Sequence, residues 1–193
     1  MTDLAGLTPG TWTVDPAHST VGFVARHLMI TKVRGRFTDF SGSLEIAADP
    51  LQSHVVATVN LASVDTGDAG RDAHLRNADF FDLDGGGSPT MTFVSTGIKE
   101  DDGDYVLFGD LSINGVTRQV EFALEFEGVN ADPWGGTRAA FSAETEINRK
   151  DFGLEWNVAL ETGGVLVSDK VKVQLDVQAV NASVDCGTGG GLP

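Results

Sequence analysis

Between Val120 and Glu127 the side chains alternate in character at every step. Val120, Phe122, Leu124 and Phe126 are large and apolar, and Glu121, Ala123, Glu125 and Glu127 are small or acidic. An α-helix would spread those four apolar groups around its surface, whereas a strand places them on one face. The pattern recurs at Val171, Val173, Leu175 and Val177, interleaved with Lys170, Lys172, Gln174, Asp176 and Gln178. It also recurs at Phe40–Ile46, at Val55–Leu61 and at Ser19–His27, where Val21, Phe23, Ala25 and His27 share a face. One apolar face and one wettable face is the signature of antiparallel sheet; parallel strands, covered on both sides, lack it.

Turn chemistry divides these runs. Glu100-Asp101-Asp102-Gly103-Asp104 separates Met91–Ile98 from Tyr105–Ile113, and Asn114-Gly115 is a strong hairpin signal before Val116. Asn130–Gly136 precedes a further strand at Arg138–Ile147. With Trp12–Asp15 and Ser19–His27 counted together, about eight strands are predicted, enough to close a barrel that its own side chains fill or that holds one small ligand. Two helical insertions are expected: Asp68–Asn77, with Asp68 as N-cap, and a single turn within Leu28–Val33.

Composition narrows the partners. Thirteen Lys+Arg against 28 Asp+Glu leave a net charge of −15, which repels nucleic acid and anionic head groups at long range. Cys186 is the single cysteine, so an internal disulfide or thiolate cluster is excluded. No apolar run is long enough for a membrane helix, and residues 1–10 lack a secretory pattern. The expectation is one cytoplasmic domain over residues 10–181 with a Gly-rich tail at 182–193. A homodimer through an exposed strand edge is compatible with this pattern.

Several residues invite chemical readings. Asp15, His18 and Ser19 are the side-chain types of a hydrolase triad, but residues crowded around one Pro-containing turn suit capping of that turn better. His18, His27 or His74 with Asp72 could meet a metal, although the spacing matches no known ligand pattern. Arg71-Asp72 and Arg149-Lys150-Asp151 read as local salt bridges fixing a helix and a loop. Leu28-Met29-Ile30, Leu75 and the dispersed phenylalanines could line and lid an apolar tunnel.

An ordered set of motifs then appears: Trp12-Thr13-Val14-Asp15-Pro16-Ala17-His18-Ser19, His27-Leu28-Met29-Ile30 with Val33-Arg34-Gly35-Arg36-Phe37, Arg71-Asp72-Ala73-His74-Leu75 with Asp79-Phe80-Phe81-Asp82, Pro89-Thr90-Met91-Thr92-Phe93, Gly109–Thr117 and Ile147-Asn148-Arg149-Lys150-Asp151-Phe152-Gly153-Leu154. In that order the chain resembles the YceI-like family. The resemblance implies an all-β, lipocalin-like antiparallel barrel that binds a long-chain isoprenoid, an isoprenoid quinone, or a fatty acid or amide, without catalytic machinery or cofactor. The glycine segment Leu83–Ser88 departs from the family pattern.

Inward parity selects Phe23, Phe40, Leu44, Val59, Met91, Phe93, Leu111, Phe122, Leu124, Phe141 and Val173 as the expected lining. Met29, Leu75, Phe81 and Phe152 are expected at the mouth, with His27 and Arg149 as head-group contacts. The alternatives are a small hydrolase or isomerase, with or without a histidine-bound metal, and an interaction protein whose barrel is filled.

Overall fold

A computed structural model describes residues 4, 6–133, 135–161 and 165–181. Cys186 and the expected tail lie outside them. The alternating segments become strands β1 (Gly10–Val14), β2 (Thr20–His27), β3 (Thr31–Phe37), β4 (Phe40–Ile46), β5 (His54–Asn60), β6 (Val64–Asp65), β7 (Thr90–Asp101), β8 (Asp104–Ile113), β9 (Val116–Ala131), β10 (Thr137–Asn148) and β11 (Lys170–Asn181), with one helix, α1 (Ala69–Arg76). The order β1-β4-β5-β7-β8-β9-β10-β11, with β11 pairing back onto β1, closes an eight-stranded antiparallel ring. The predicted barrel is therefore present.

β11 has two partners along one edge. Its C-terminal end pairs with β1 (Val14↔Ala179), and its N-terminal half pairs with β2 (Phe23↔Val173). The Pro16–His18 turn lies between the two partners, so β1 and β2 act as one interrupted strand. From β2 the sheet continues into β3 and then β6, a flap beside the ring. Closure pairs the first ring strand with the last, and beside the ring Thr31–Gly35 of β3 has no strand on its outer edge among the described residues.

The Leu28–Val33 expectation needs correction. Thr31–Val33 already belongs to β3, and only Leu28–Ile30 turns, closed by the Ile30 N–H donating to the His27 carbonyl at 3.1 Å. The other hairpins follow their sequences: Asp102 and Gly103 (φ 53° and 94°) and Asn114 and Gly115 (φ 52° and 77°) form two-residue turns.

The inner wall carries an unusual fit. A Cβ built on Gly35 would lie 2.3 Å from the Phe23 ring, and one on Gly109 would lie 2.3 Å from the Phe93 ring. The far end of each ring thus occupies the space that a side chain on the neighbouring strand's glycine would take. At one end Trp12 is fully buried with Leu44, Ile46, Ala139 and Ala179, its indole N–H donating to the Thr8 carbonyl at 3.0 Å. At the opposite end lie the β8–β9 turn, α1 and the loop that follows Phe152.

Candidate functional site

A cavity of about 330 Å³ occupies the inside of the ring. Parity explains most of its wall. Phe23, Phe40, Leu44, Val59, Met91, Phe93, Leu111, Phe122, Leu124, Phe141 and Val173 all line it, as do Leu75, Phe81, Phe152 and Arg149. His27 and Met29 do not. His27 has inward parity, but β2 ends there, beyond the rim; the residue is exposed, and its backbone bridges Val167. Met29 sits on the hairpin tip, 52% exposed.

Other lining residues escaped the sequence choice. Leu107, Phe126, Val171 and Leu175 share parity with selected neighbours and could have been included on the same rule. Ile98 could not: a register shift between Ser95 and Gly97 moves it to the inner face, which simple alternation from Phe93 misses. Leu154 and Val167 come from an irregular loop with no periodic signal.

Arg149 is the single charged side chain in the wall among the described residues, and the structure gives it a different task from the local pairing expected. It is 4% exposed. Its Nε donates to the Ser168 carbonyl at 3.0 Å, and its Nη1 donates to the Leu154 carbonyl and, at 2.9 Å, to that of Trp156. The carboxylate it meets is Asp169, at 3.5 Å, and Lys150 pairs with the same residue; neither ion pair is with Asp151. Burial pulls the guanidinium below the usual arginine range, opposed by the Asp169 charge. The side chain therefore clasps the loop and has little donor capacity left for a ligand.

The helical insertion forms as expected but is fixed differently. Asp68 caps it by accepting from the Arg71 N–H at 2.8 Å. Arg71 and Asp72 do not pair directly: Asp72 accepts from the Thr66 N–H and hydroxyl, and Arg71 Nε donates to that hydroxyl at 2.8 Å. Arg76 donates to the carbonyls of Ala62 and Val64, tying α1 to the β5–β6 connection. Beyond the helix, the rings of His74, Phe80 and Trp156 cluster with centroids 4.6 to 5.3 Å apart, and Asp79 holds His74 Nε2 at 2.8 Å. In the glycine segment the Asp82 carbonyl accepts from both Gly85 and Gly87, folding it into a compact turn.

Asp15, His18 and Ser19 are not arranged as a triad. His18 Nδ1 meets Asp15 at 2.8 Å, while the Ser19 hydroxyl bonds both the N–H and the carbonyl of Gln178 across the sheet. Asp15 also receives Arg138 Nη1 at 2.6 Å and the Ala17 N–H at 3.0 Å. Arg138, then His18, lower its pKa to about 2. A carboxylate with a depressed folded pKa stabilises the fold above the unfolded-state value. That contribution is lost as pH falls from about 4 through 2. Asp15→Asn should cost about 2 kcal/mol at pH 7 in urea unfolding, and the difference from wild type should shrink to a small fraction near pH 2 and vanish only below it. No group of three or more His, Cys, Asp or Glu is placed to hold a metal among the described residues.

Comparison with known proteins agrees with this architecture. The YceI-like domain model matches residues 12–179. An Azotobacter vinelandii protein of the UPF0312 group is 44% identical over 140 residues, 72% of each chain, and protein YceI of Escherichia coli is 42% identical over 139 residues, again 72% of each. Burkholderia cenocepacia BcnA superposes with a TM-score of 0.69 at 27% identity, over 86% of this chain and 98% of that one. A polyisoprenoid binding domain from Saccharophagus degradans, at 18% identity, superposes with a TM-score of 0.66 over 90% of this chain and 99% of that one, a likeness of fold. From strand order to sequence, the chain belongs to the YceI-like family.

Proposed function

We propose that this protein binds and carries a long apolar molecule with an uncharged head, such as an isoprenoid, an isoprenoid quinone or a fatty amide, and performs no chemistry on it. The observation that carries this reading is the hollow itself, walled by apolar side chains from every strand of the ring. An engineered apolar cavity of about 150 Å³ takes benzene, so about 330 Å³ holds roughly a dozen carbons. At about 0.8 kcal/mol per buried methylene that is roughly 10 kcal/mol gross, against an association cost of about 4 kcal/mol or more. A longer chain has to protrude or displace lining rings. The preference for a neutral head follows from Arg149, whose donors already serve three carbonyls.

Native mass spectrometry of freshly purified protein, followed by solvent extraction, is the direct test. A co-purifying apolar passenger is expected. A fatty amide should also bind at least tenfold tighter than the acid of equal length at pH 8. Absence of any passenger, together with no micromolar binding of quinone, amide or acid, would overturn the carrier reading.

A further inference from the structure

The β2–β3 hairpin is unlike the rest of the molecule in two ways. From Thr20 to Phe37 it carries Arg26, Lys32, Arg34 and Arg36 and no carboxylate, in a chain whose net charge is −15. The register Val24↔Arg34 and Arg26↔Lys32 puts all four on one face, opposite Phe23 and Gly35, and all four are exposed. Arg36 is paired with Asp65, and on the adjoining strand Lys170 and Lys172 are paired with Glu146 and Glu144. Arg26, Lys32 and Arg34 make no salt bridge among the described residues.

The tip is the second peculiarity. Leu28 and Met29 occupy the left-handed region at φ 54° and 59°, a conformation that bulky side chains adopt at a cost. The two-residue turns elsewhere place Asp-Gly and Asn-Gly in that region. This one instead displays Leu28, Met29 and Ile30, with Ile30 79% exposed and Met29 52%. The turn is held by the Leu28 N–H donating to the Leu166 carbonyl at 2.8 Å; the Leu166 N–H in turn donates to Val158, another exposed apolar residue. The tip therefore stands next to Ala25 and Val167, where the cavity wall ends.

We propose that the β2–β3 hairpin docks this protein on an anionic phospholipid surface, with Leu28, Met29 and Ile30 entering the interface and Arg26, Lys32 and Arg34 meeting the head-group phosphates. An apolar point backed by unpaired cations fits a bilayer boundary better than an acidic protein, which would match the charges and leave the tip in water. The overall negative charge repels such a surface at long range, and it orients the molecule so that the basic hairpin approaches first. Docking itself does not depend on the carrier reading; a route for a passenger from bilayer to cavity does.

The test is sedimentation of the full chain with vesicles of phosphatidylcholine alone or with one quarter phosphatidylglycerol. Binding to the anionic vesicles alone, weakening between 50 and 500 mM salt, is expected. Each basic residue near such a surface contributes about fivefold to partitioning, so the triple substitution R26Q/K32Q/R34Q should weaken it about 100-fold. Met29→Ser with Ile30→Ser should weaken it at least tenfold, whereas Lys99→Gln, on β7, should leave it unchanged. Melting curves and fatty-amide titrations without vesicles should match wild type for every variant, which separates a docking defect from loss of fold or of carriage. Equal binding to both vesicle types, no binding to either, or an unaltered serine variant would overturn the proposal; the last, with competition by polyglutamate, would assign the face to an acidic protein.

Discussion

Ala57→Phe is expected to abolish uptake of a long apolar ligand while leaving the protein as stable as wild type or slightly more so. Ala57 lines the cavity opposite Phe93 in the β5–β7 register. A phenyl group there occupies space a passenger would need, and it meets apolar neighbours. Filling an existing apolar void recovers contacts that its lining otherwise forgoes, so a gain of up to about 1 kcal/mol in unfolding free energy is expected. Displacement of a fluorescent fatty probe should show at least a 100-fold loss of affinity. Gly35→Val gives the contrasting case: its side chain evicts the Phe23 ring from the wall, so affinity and stability should fall together. Unchanged affinity in Ala57→Phe would mean that ligands bind elsewhere than in the ring.

Arg149→Ala has the largest expected effect on stability. The guanidinium holds the carbonyls of Ser168, Leu154 and Trp156 from a position almost sealed from water. Truncation strands those acceptors and frees the Asp169 carboxylate from one of its two cations. Removing one member of a buried polar cluster costs about 3 to 5 kcal/mol. At about 2–4 °C per kcal/mol for a domain of this size, the melting temperature should drop by roughly 10 °C. Lysine keeps the charge but cannot reach three carbonyls in fork geometry, so Arg149→Lys should recover less than half of the loss. Proteolysis should cut the 154–167 segment early in both variants. A variant that melts within 2 °C of wild type would show that the loop is held by its other contacts.

The two variants mark the limits of what the amino-acid order reveals. β9 and β11 could be read with the correct inner face because nothing interrupts their alternation over the residues used. The same rule picked eleven residues that all line the cavity, though many more share the wall. β3 was missed because its inward positions include Gly35, whose partner is an aromatic ring from the next strand, and its outward positions are all basic; only Val33 and Phe37 signal a strand. Leu28–Ile30 does turn as expected, but three apolar residues in a row give no sign of where the reversal stops and β3 begins. Arg149 looked like a member of a local charge pair, and its true acceptors lie up to 20 residues along the chain on a segment without periodicity. Such long-range clasping leaves no trace in local pattern.

The ring is completed where Val14 meets Ala179, residues close to opposite termini of the described chain. That union joins the first strand of the ring to its last, so the wall stays an open sheet until β11 has formed. Until then its greasy side faces chaperones and solvent, and pairings this distant in sequence form slowly. On the carrier reading, a closed wall is available to a passenger only once β11 has paired with β1.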